Sequence, residues 1–454
     1  MAEHPSLRTF LAQLAVAEDI VRVGTLVNPR FEIAAHLALR DPGPAVMFTA
    51  VSDTSIPVVG NILGTLPRIA LALGADIGDI QQRMIAAIAA NDPLVLVDEA
   101  PSQEWSEPVD LTSLPIPTFF ERERGPYITA GVIIAKDPIT GQANASFARI
   151  APLTATGGFI GIAPNHHLQK MAERSPDGRL EIAVVLGAHP VVQLAACLYL
   201  GLGDDELTHV QSMLGQPLRV VKAETVDLLV PADAELILEG VIDLRNTVYE
   251  GEVSEYHGMY EVYGPAASVE FTRMTGRTDP ILQVILPGWH REHAYLGAVS
   301  IAAGLRVAIA GSIPNVAEVA ITEAGAGRLA AVISLRDPRP GQGKQAMMAA
   351  WGSLSMLKHI TVVDTDIDVW DPVQVEWARI TRSLIDRDLV IVRDARTDRS
   401  EPLETGGTVT KIGYDALINP TDRAEGFTIA VPPADVMTKI RAQMTGASTT
   451  AVTK

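Results

Sequence analysis

The sequence contains a single cysteine, Cys197. One cysteine cannot build an intrachain disulfide framework or a cysteine-based zinc or iron–sulfur centre, and it is typical of a reducing compartment. Positive charge is also scarce, because 36 Lys and Arg face 54 Asp and Glu, a formal net charge of −18. Nucleic acids and anionic membranes are bound by clustered basic residues, so neither is an expected partner.

Long hydrophobic runs are missing as well. The longest nearly apolar run, Ala294 to Leu305, is closed by Arg306 after about 12 residues, whereas a membrane-spanning helix needs about 20. The segment Met1 to Pro5 has no basic stretch leading into an apolar one, so it does not resemble a signal peptide. These absences predict a cytoplasmic protein without a membrane partner.

Three common enzyme signatures are absent too. Residues 340–344, Pro-Gly-Gln-Gly-Lys, lack the first glycine and the final Ser or Thr of a phosphate-binding P-loop. No GxGxxG follows a predicted strand, and no GxSxG marks a nucleophilic serine. The sequence therefore does not support the common nucleotide-binding or serine-hydrolase classes.

Apolar residues make up 47% of the 454 residues, which is ample for two or three domains. The first hundred residues alternate strand and helix signals, with a helix at Leu7 capped by Ser6 and a helical stretch over 67–90 interrupted near Gly74. Strand-like segments dominate the middle and predict a barrel or curved sheet, whereas the last third is α/β again. We predict a mixed α/β (α+β) fold with domains at 1–110, 111–310 and 320–454.

Two segments concentrate polar side chains in strand-rich, apolar surroundings. Residues 144–150 are predicted to be the returning strand of a hairpin. Residues 250–260 are predicted to be a glycine-flanked loop, with three glutamates and His257. Carboxylates near an arginine can carry acid–base chemistry on an anionic substrate, although spacing alone favours a solvated acidic loop.

The order and spacing of these and other segments resemble the UbiD-type decarboxylases, which use prenylated flavin mononucleotide (prenylated FMN). No single segment is decisive, whereas the ordered set is highly specific. The similar segments are 61–65 with Arg68, 127–131, 137–138, 144–149, 167–168, Glu206, 220–228, 230–240, 250–260, 358–368, 377–382 and 411–416.

The resemblance implies a site for a metal and a flavin. Asn144, His167 and Glu206 would hold a divalent cation, Mn²⁺ or Mg²⁺, that bridges to the phosphate of prenylated FMN. K⁺ is a further candidate ion, and Arg149 would also contact the cofactor. Taken singly, each of the three ligands could instead be an ordinary hairpin or helix residue, and only their combined spacing favours ligation.

The resemblance also implies a catalytic Glu–Arg–Glu network. Arg149 would receive the substrate carboxylate, Glu250 would orient Arg149, and Glu255 would donate the proton that replaces CO₂. Two departures from the family pattern occur beside these residues. Glu252-Val253-Ser254 stand where the family often has Pro-Phe-Gly, and Ser146 stands at a usual glycine.

The implied activity is reversible, non-oxidative decarboxylation of an α,β-unsaturated or (hetero)aromatic carboxylic acid. The implied architecture is an N-terminal α/β segment, a central split β-barrel that binds the flavin, and a C-terminal α/β oligomerisation domain. The implied partners are a small carboxylic acid, a flavin prenyltransferase that supplies the cofactor, and further copies of the chain in a homodimer or larger homo-oligomer. Candidate pocket residues are His257, His290, Glu292 and His293.

Two alternatives stay open. The protein could work in the carboxylating direction or as the carboxylase subunit of a larger complex. It could also be a non-catalytic relative that binds flavin or acts as a scaffold.

Overall fold

The structure, a computed structural model, describes residues 4–198, 200–418 and 430–448. The polypeptide folds into three consecutive parts, which are described in chain order.

The N-terminal part alternates helices and strands, as the sequence predicts. Ser6 caps the first helix by accepting a hydrogen bond from the amide of Thr9, and Gly74 ends the third helix at the predicted interruption. The elements are α1 (Leu7–Val16), β1 (Ile20–Val23), α2 (Glu32–Ala38), β2 (Ala45–Phe48), β3 (Val58–Gly60), α3 (Leu66–Leu73), α4 (Ile80–Ile88) and β4 (Val95–Leu96).

The central part is dominated by strands. Its elements are β5 (Trp105–Pro108), β6 (Val132–Lys136), β7 (Ala143–Phe147), β8 (Arg149–Pro152), β9 (Gly157–Gly161), α5 (His167–Arg174), β10 (Arg179–Leu186), α6 (Pro190–Ala196), α7 (Val210–Leu214), β11 (Arg219–Lys222), β12 (Leu229–Pro231), β13 (Leu236–Ser254), β14 (Tyr260–Gly276) and β15 (Leu282–Gln283). β15 returns to the N-terminal part, where it completes a sheet of order β1-β2-β3-β15.

One eight-stranded antiparallel sheet forms most of this central part. Its strand order is β7-β6-β10-β13-β14-β9-β8, and β5 pairs with β14. β7 and β8 are the first and last strands of that order, yet only Ala148 separates them along the chain. The sheet therefore curves back on itself, which confirms the predicted barrel-like architecture.

Two predictions about the polar segments were wrong in detail. The single strand predicted over 144–150 is two strands, β7 and β8, which break at Ala148. The loop predicted over 250–260 is mostly strand, because β13 runs to Ser254 and β14 starts at Tyr260. Its polar side chains line a cavity or pair with side chains of other segments, so the strand lacks the apolar alternation by which a sequence reveals it.

The C-terminal part is α/β, as predicted. Its sheet has the order β16-β17-β18-β20-β19, with parallel pairing across β17, β18 and β20. The elements are α8 (Arg291–Ala310), β16 (Val316–Ile321), β17 (Ala330–Leu335), α9 (Gln342–Ser353), β18 (His359–Asp364), α10 (Pro372–Arg382), α11 (Ile385–Asp388), β19 (Leu389–Arg396), β20 (Thr408–Ala416) and α12 (Ala434–Ser448).

Helix α8 packs against the N-terminal and central parts on one side and against the C-terminal part on the other. It extends the apolar run noted in the sequence to 20 residues, long and apolar enough to cross a membrane by length and composition, but 61% of its apolar window is buried within the protein. Leu296 and Val299 pack into the core shared by the N-terminal and central parts. Ala302 and Leu305 pack into the core of the C-terminal part. α8 therefore behaves as a core helix.

Candidate active site

A cavity of about 620 Å³ lies where the barrel, α8 and the C-terminal part meet. Five of the six residues assigned from the sequence line it, and the sixth, Glu250, is buried directly behind Arg149 with 2% exposure. Residues up to 111 positions apart in the chain are therefore brought to one place. The five that line the cavity are Asn144, Arg149, His167, Glu206 and Glu255.

The first group in the cavity consists of Asn144, His167 and Glu206. Asn144 Nδ2 lies 2.8 and 2.9 Å from the two carboxylate oxygens of Glu206 and 3.3 Å from His167 Nδ1. The amide of Ala145 donates a further hydrogen bond of 2.7 Å to Glu206. The group is assembled by β7, the start of α5 and the short turn that begins at Glu206.

The electrostatics of this group favour a cation. Burial raises the pKa of Glu206 to about 8, although the hydrogen bonds from Ala145 and Asn144 oppose the shift. Burial also lowers the pKa of His167, with a smaller effect from the charge of Lys170, so its imidazole is neutral and available as a ligand. A divalent cation would stabilise the ionised form of Glu206, which burial now disfavours.

The donor set fits a hard divalent metal. Asn144 Oδ1 is buried without a hydrogen-bond partner, and amide oxygen, imidazole and carboxylate are ligands that Mn²⁺ and Mg²⁺ accept. Within the part of the chain that the structure describes, no group of three or more His, Cys, Asp or Glu is arranged to hold a metal. A cation here would therefore depend on the amide and on an anion supplied by a cofactor.

The second group is the Glu–Arg–Glu network. Arg149 Nε donates a hydrogen bond of 2.6 Å to Glu250, and Arg149 Nη1 donates one of 3.2 Å to Glu255. Burial acts to lower the pKa of Arg149, but Glu250 and Glu255 raise it above its ordinary value. Arg149 Nη2 is buried without a partner, so one arm of a permanently charged guanidinium stays available for an anion.

The backbone of β13 departs from regular strand geometry at Gly251, immediately after Glu250. In a regular strand, Glu250 and Val253 would point to opposite faces, yet both are buried. Gly251 lies between them with a φ of 87°, a left-handed conformation that glycine adopts without penalty. It breaks the alternation and turns both side chains inward, just ahead of the turn that carries Glu255.

Three tyrosines around this network were not assigned from the sequence. Tyr263 lies between Arg149 and Arg399, whose guanidinium carbons are 5.0 and 4.5 Å from its ring centre. Burial raises the pKa of Tyr263, and the adjacent Glu255 carboxylate raises it further. Tyr127, which belongs to the similar segment 127–131, has a buried hydroxyl without a hydrogen-bond partner.

The third tyrosine links the hairpin to the C-terminal part. The hydroxyl of Tyr256 donates a hydrogen bond of 3.1 Å to the backbone carbonyl of Ser400. Both residues line the cavity. The turn that carries Glu255 is therefore connected to the segment that covers the cavity from the C-terminal side.

One of the four candidate pocket residues lines the cavity, namely His293. Glu292 points the other way and accepts the backbone amides of Asn61 and Leu63 at 2.8 and 2.9 Å. His290 pairs with Asp41, and His257 with Glu261. Glu292, His290 and His257 therefore contact residues outside the cavity.

Sequence comparison confirms the resemblance. Family profiles described as the 3-octaprenyl-4-hydroxybenzoate carboxy-lyase N-terminal, Rift-related and C-terminal domains match residues 11–88, 95–290 and 294–416. An anhydromevalonate phosphate decarboxylase from Methanothermobacter thermautotrophicus is 35% identical over 425 residues, covering 93% of this chain and 98% of that protein. A protein of the same name from Methanosarcina mazei is 32% identical over 415 residues, covering 90% and 95%.

Solved structures agree with the sequences. The UbiD-class enzyme HmfF from Pelotomaculum thermopropionicum, in complex with FMN, is 37% identical with a TM-score of 0.90, covering 95% of this chain and 98% of that one. A vanillic acid decarboxylase from Sedimentibacter hydroxybenzoicus, in closed form, is 26% identical with a TM-score of 0.85, covering 98% and 99%. The protein is therefore a carboxy-lyase, that is, an enzyme of the decarboxylase class. It belongs to the UbiD family.

Proposed function

We propose that the protein catalyses the reversible, non-oxidative decarboxylation of an α,β-unsaturated or (hetero)aromatic carboxylic acid, with prenylated FMN and a divalent metal. The observation that carries this proposal is the buried, unpartnered Nη2 of Arg149, whose side chain lines the cavity beside two glutamates. A guanidinium arm of this kind recognises a carboxylate. Glu255, on the cavity side of the network, is placed to act on the same substrate.

The roles of the three network residues follow from their positions. Glu250, buried and paired with Arg149 Nε, orients the guanidinium. Arg149 binds the carboxylate that is lost and, through its charge, fixes its direction in the cavity. Glu255 contacts Arg149 and faces the cavity, so it donates a proton to the carbon that loses CO₂ and accepts one in the reverse direction.

Asn144, His167 and Glu206 are the residues that would hold Mn²⁺ or Mg²⁺, with K⁺ as a further candidate ion and the flavin phosphate as the remaining ligand. This assignment is supported by the orphaned Asn144 Oδ1 and by HmfF structures with FMN and prenylated FMN. When bound, prenylated FMN supplies the electron sink for the carbon–carbon cleavage. The metal charge explains how an acidic protein without a P-loop retains a phosphate.

Co-expression with a flavin prenyltransferase tests the proposal. The purified protein should be coloured by its flavin and should contain metal. It should release CO₂ from members of a panel of acrylic, aryl and heteroaryl acids. The panel also includes phosphorylated acids, because two relatives are named anhydromevalonate phosphate decarboxylase. In deuterated buffer, the products should exchange the hydrogen on the reacting carbon for deuterium. A colourless, metal-free preparation would favour the scaffold alternative, whereas activity only with added bicarbonate or a second subunit would favour a carboxylase.

We also propose that the C-terminal part forms a homodimer or larger homo-oligomer. Helix α10 presents an apolar stripe to solvent, with Val373 and Ile380 more than 70% exposed and Trp377 40% exposed. These residues are spaced i, i+4 and i+7, on one face of the helix. A contiguous apolar surface of this kind is typical of a protein–protein interface, and an evolved form of HmfF is dimeric.

A further inference from the structure

A second guanidinium, that of Arg328, lines the same cavity. Arg149 has two carboxylate partners, whereas Arg328 has none within the described ranges of the chain. Its guanidinium donates a hydrogen bond of 2.8 Å from Nη1 to the backbone carbonyl of Gly327. The cavity therefore holds a cationic group that makes no ion pair with a side chain in the described part of the protein.

Close packing against two glycines fixes the position of the Arg328 side chain. The guanidinium lies across Gly297 of α8, where an added Cβ would come within 1.6 Å of Nη1. The turn before it is packed just as tightly, since a Cβ on Gly327 would lie 2.3 Å from the carbonyl oxygen of Ala294. Side chains at these two glycines would displace the guanidinium or the turn, so the fold is arranged to admit Arg328 at this point.

Among the described residues, the charged groups that share the cavity with Arg328 do not form an ion pair with it. Burial lowers the pKa of His293 to about 4, and the charges of Arg328 and, more weakly, Arg149 add to that effect. His293 is thus neutral and within electrostatic reach of both arginines. The Asp398 carboxylate in the same cavity is engaged by the amide and hydroxyl of Ser400 at 3.0 and 2.8 Å. A half-buried, unpaired guanidinium is costly unless an anion from outside meets it.

We propose that Arg328 binds a second anionic group of the substrate, a carboxylate or a phosphate monoester, at the opposite end from the carboxylate received by Arg149. This inference rests on the proposed function, because it assigns the two ends of the same substrate. Both groups present oxygens that a planar guanidinium can bind in bidentate fashion. The flavin phosphate is assigned to the metal group on the barrel side, whereas Arg328 enters from the C-terminal part beside α8.

The test compares acids that differ only at the far end. The flavin-loaded enzyme is assayed with pent-2-enedioate, its monomethyl ester and 4-phosphooxybut-2-enoate, so that a carboxylate, a neutral isostere and a phosphate are compared. Binding of unreactive glutarate and its monomethyl ester is measured by calorimetry in parallel. We expect kcat/KM and affinity to favour the doubly charged member by roughly 10- to 100-fold, and the better of the two dianions identifies the anionic group.

Variants decide whether Arg328 is responsible. Arg328→Gln should remove the preference for the dianion, Arg328→Lys should keep part of it, and Arg339→Gln, at an exposed arginine of the same part, should keep all of it. A preference that survives Arg328→Gln within about twofold overturns the proposal, as does loss of flavin absorbance in that variant. If the wild type converts none of these three acids, the calorimetric comparison alone decides on the anion site, and the wider panel of acids decides on the proposed function.

Discussion

The hydroxyl of Ser254 donates a hydrogen bond of 2.7 Å to the carboxylate of Glu123. Ser254 immediately precedes Glu255 and stands where the family often has glycine. The other oxygen of Glu123 accepts the amide of Phe120 at 3.1 Å, and one residue earlier Arg122 pairs with Glu252. Two of the residues that depart from the family pattern, Glu252 and Ser254, therefore have partners of their own, and together they attach the catalytic hairpin to the segment 120–124.

Ser254→Ala tests whether this attachment positions Glu255. The change leaves a largely buried carboxylate, whose pKa burial already raises, without its hydroxyl donor. We expect kcat to fall by roughly tenfold, in line with the loss of one hydrogen bond to a charged group, while KM and flavin content change little. Thr247→Ala, at an exposed position on the same strand, is the matched control. Equal kinetics in the two variants would show that the attachment does not serve catalysis.

The sequence could reveal Asn144, Arg149, Glu250 and Glu255 because their spacing within short segments is part of a recognisable pattern. It could not reveal Arg328, since that side chain matters through contacts with residues distant in the chain, and such contacts leave no local signature. The error at 250–260 has a related cause. Polar residues that face a cavity look, in sequence, like residues that face bulk water.

Glu255→Gln separates proton donation from cofactor binding. The amide keeps the size of the side chain but cannot supply the proton, so turnover should fall by about 10³-fold. Flavin absorbance and metal content should match the wild type, because Glu255 is not among the residues that would hold either. Glu261→Gln, on the neighbouring strand, should retain activity. Wild-type rates in Glu255→Gln would exclude this residue as the proton donor.

The adjacent histidines 166 and 167 provide a matched pair for the metal site. Both line the cavity, but His166 caps α5 by accepting the amide of Leu168, whereas His167 lies beside Asn144. His167→Ala should lower metal affinity by roughly tenfold or more and reduce bound flavin, while His166→Asn, which can still cap the helix, should keep both. Elemental analysis measures the bound metal, and absorbance measures the bound flavin. Full metal and flavin content in His167→Ala would contradict the ligand role.

Ile380→Asp tests the proposed assembly through α10. Ile380 is 72% exposed, so a charge there leaves the fold of the subunit unstrained, but it cannot be buried unpaired in an interface without a large penalty. Light scattering after gel filtration should show dissociation toward the monomer. Glu376→Gln, at an exposed polar position on the same helix, should preserve the assembly. An unchanged mass in Ile380→Asp would locate the interface elsewhere.

His189 should make the protein sensitive to mild acid. It is buried at the start of α6, where Nδ1 accepts the amide of Val191, and burial lowers its pKa to about 4 from an ordinary value near 6.5. Above about pH 6.5 the imidazole is neutral in the folded and unfolded states and has no effect on the pH dependence of stability. As the pH falls below that value, only the unfolded state gains the proton, so the free energy of unfolding decreases until the pH reaches about 4.

The size of this effect follows from the two pKa values. Between pH 7 and pH 5, His189 should reduce the free energy of unfolding by about 2 kcal/mol. His189→Asn keeps a side-chain acceptor at the helix start and cannot titrate, so its urea midpoint should shift less over this range than that of the wild type. Both proteins still contain His166 and His293, whose pKa values burial also lowers, and the difference between the two midpoint shifts therefore isolates His189. Identical shifts would mean that the imidazole of His189 becomes protonated in the folded protein.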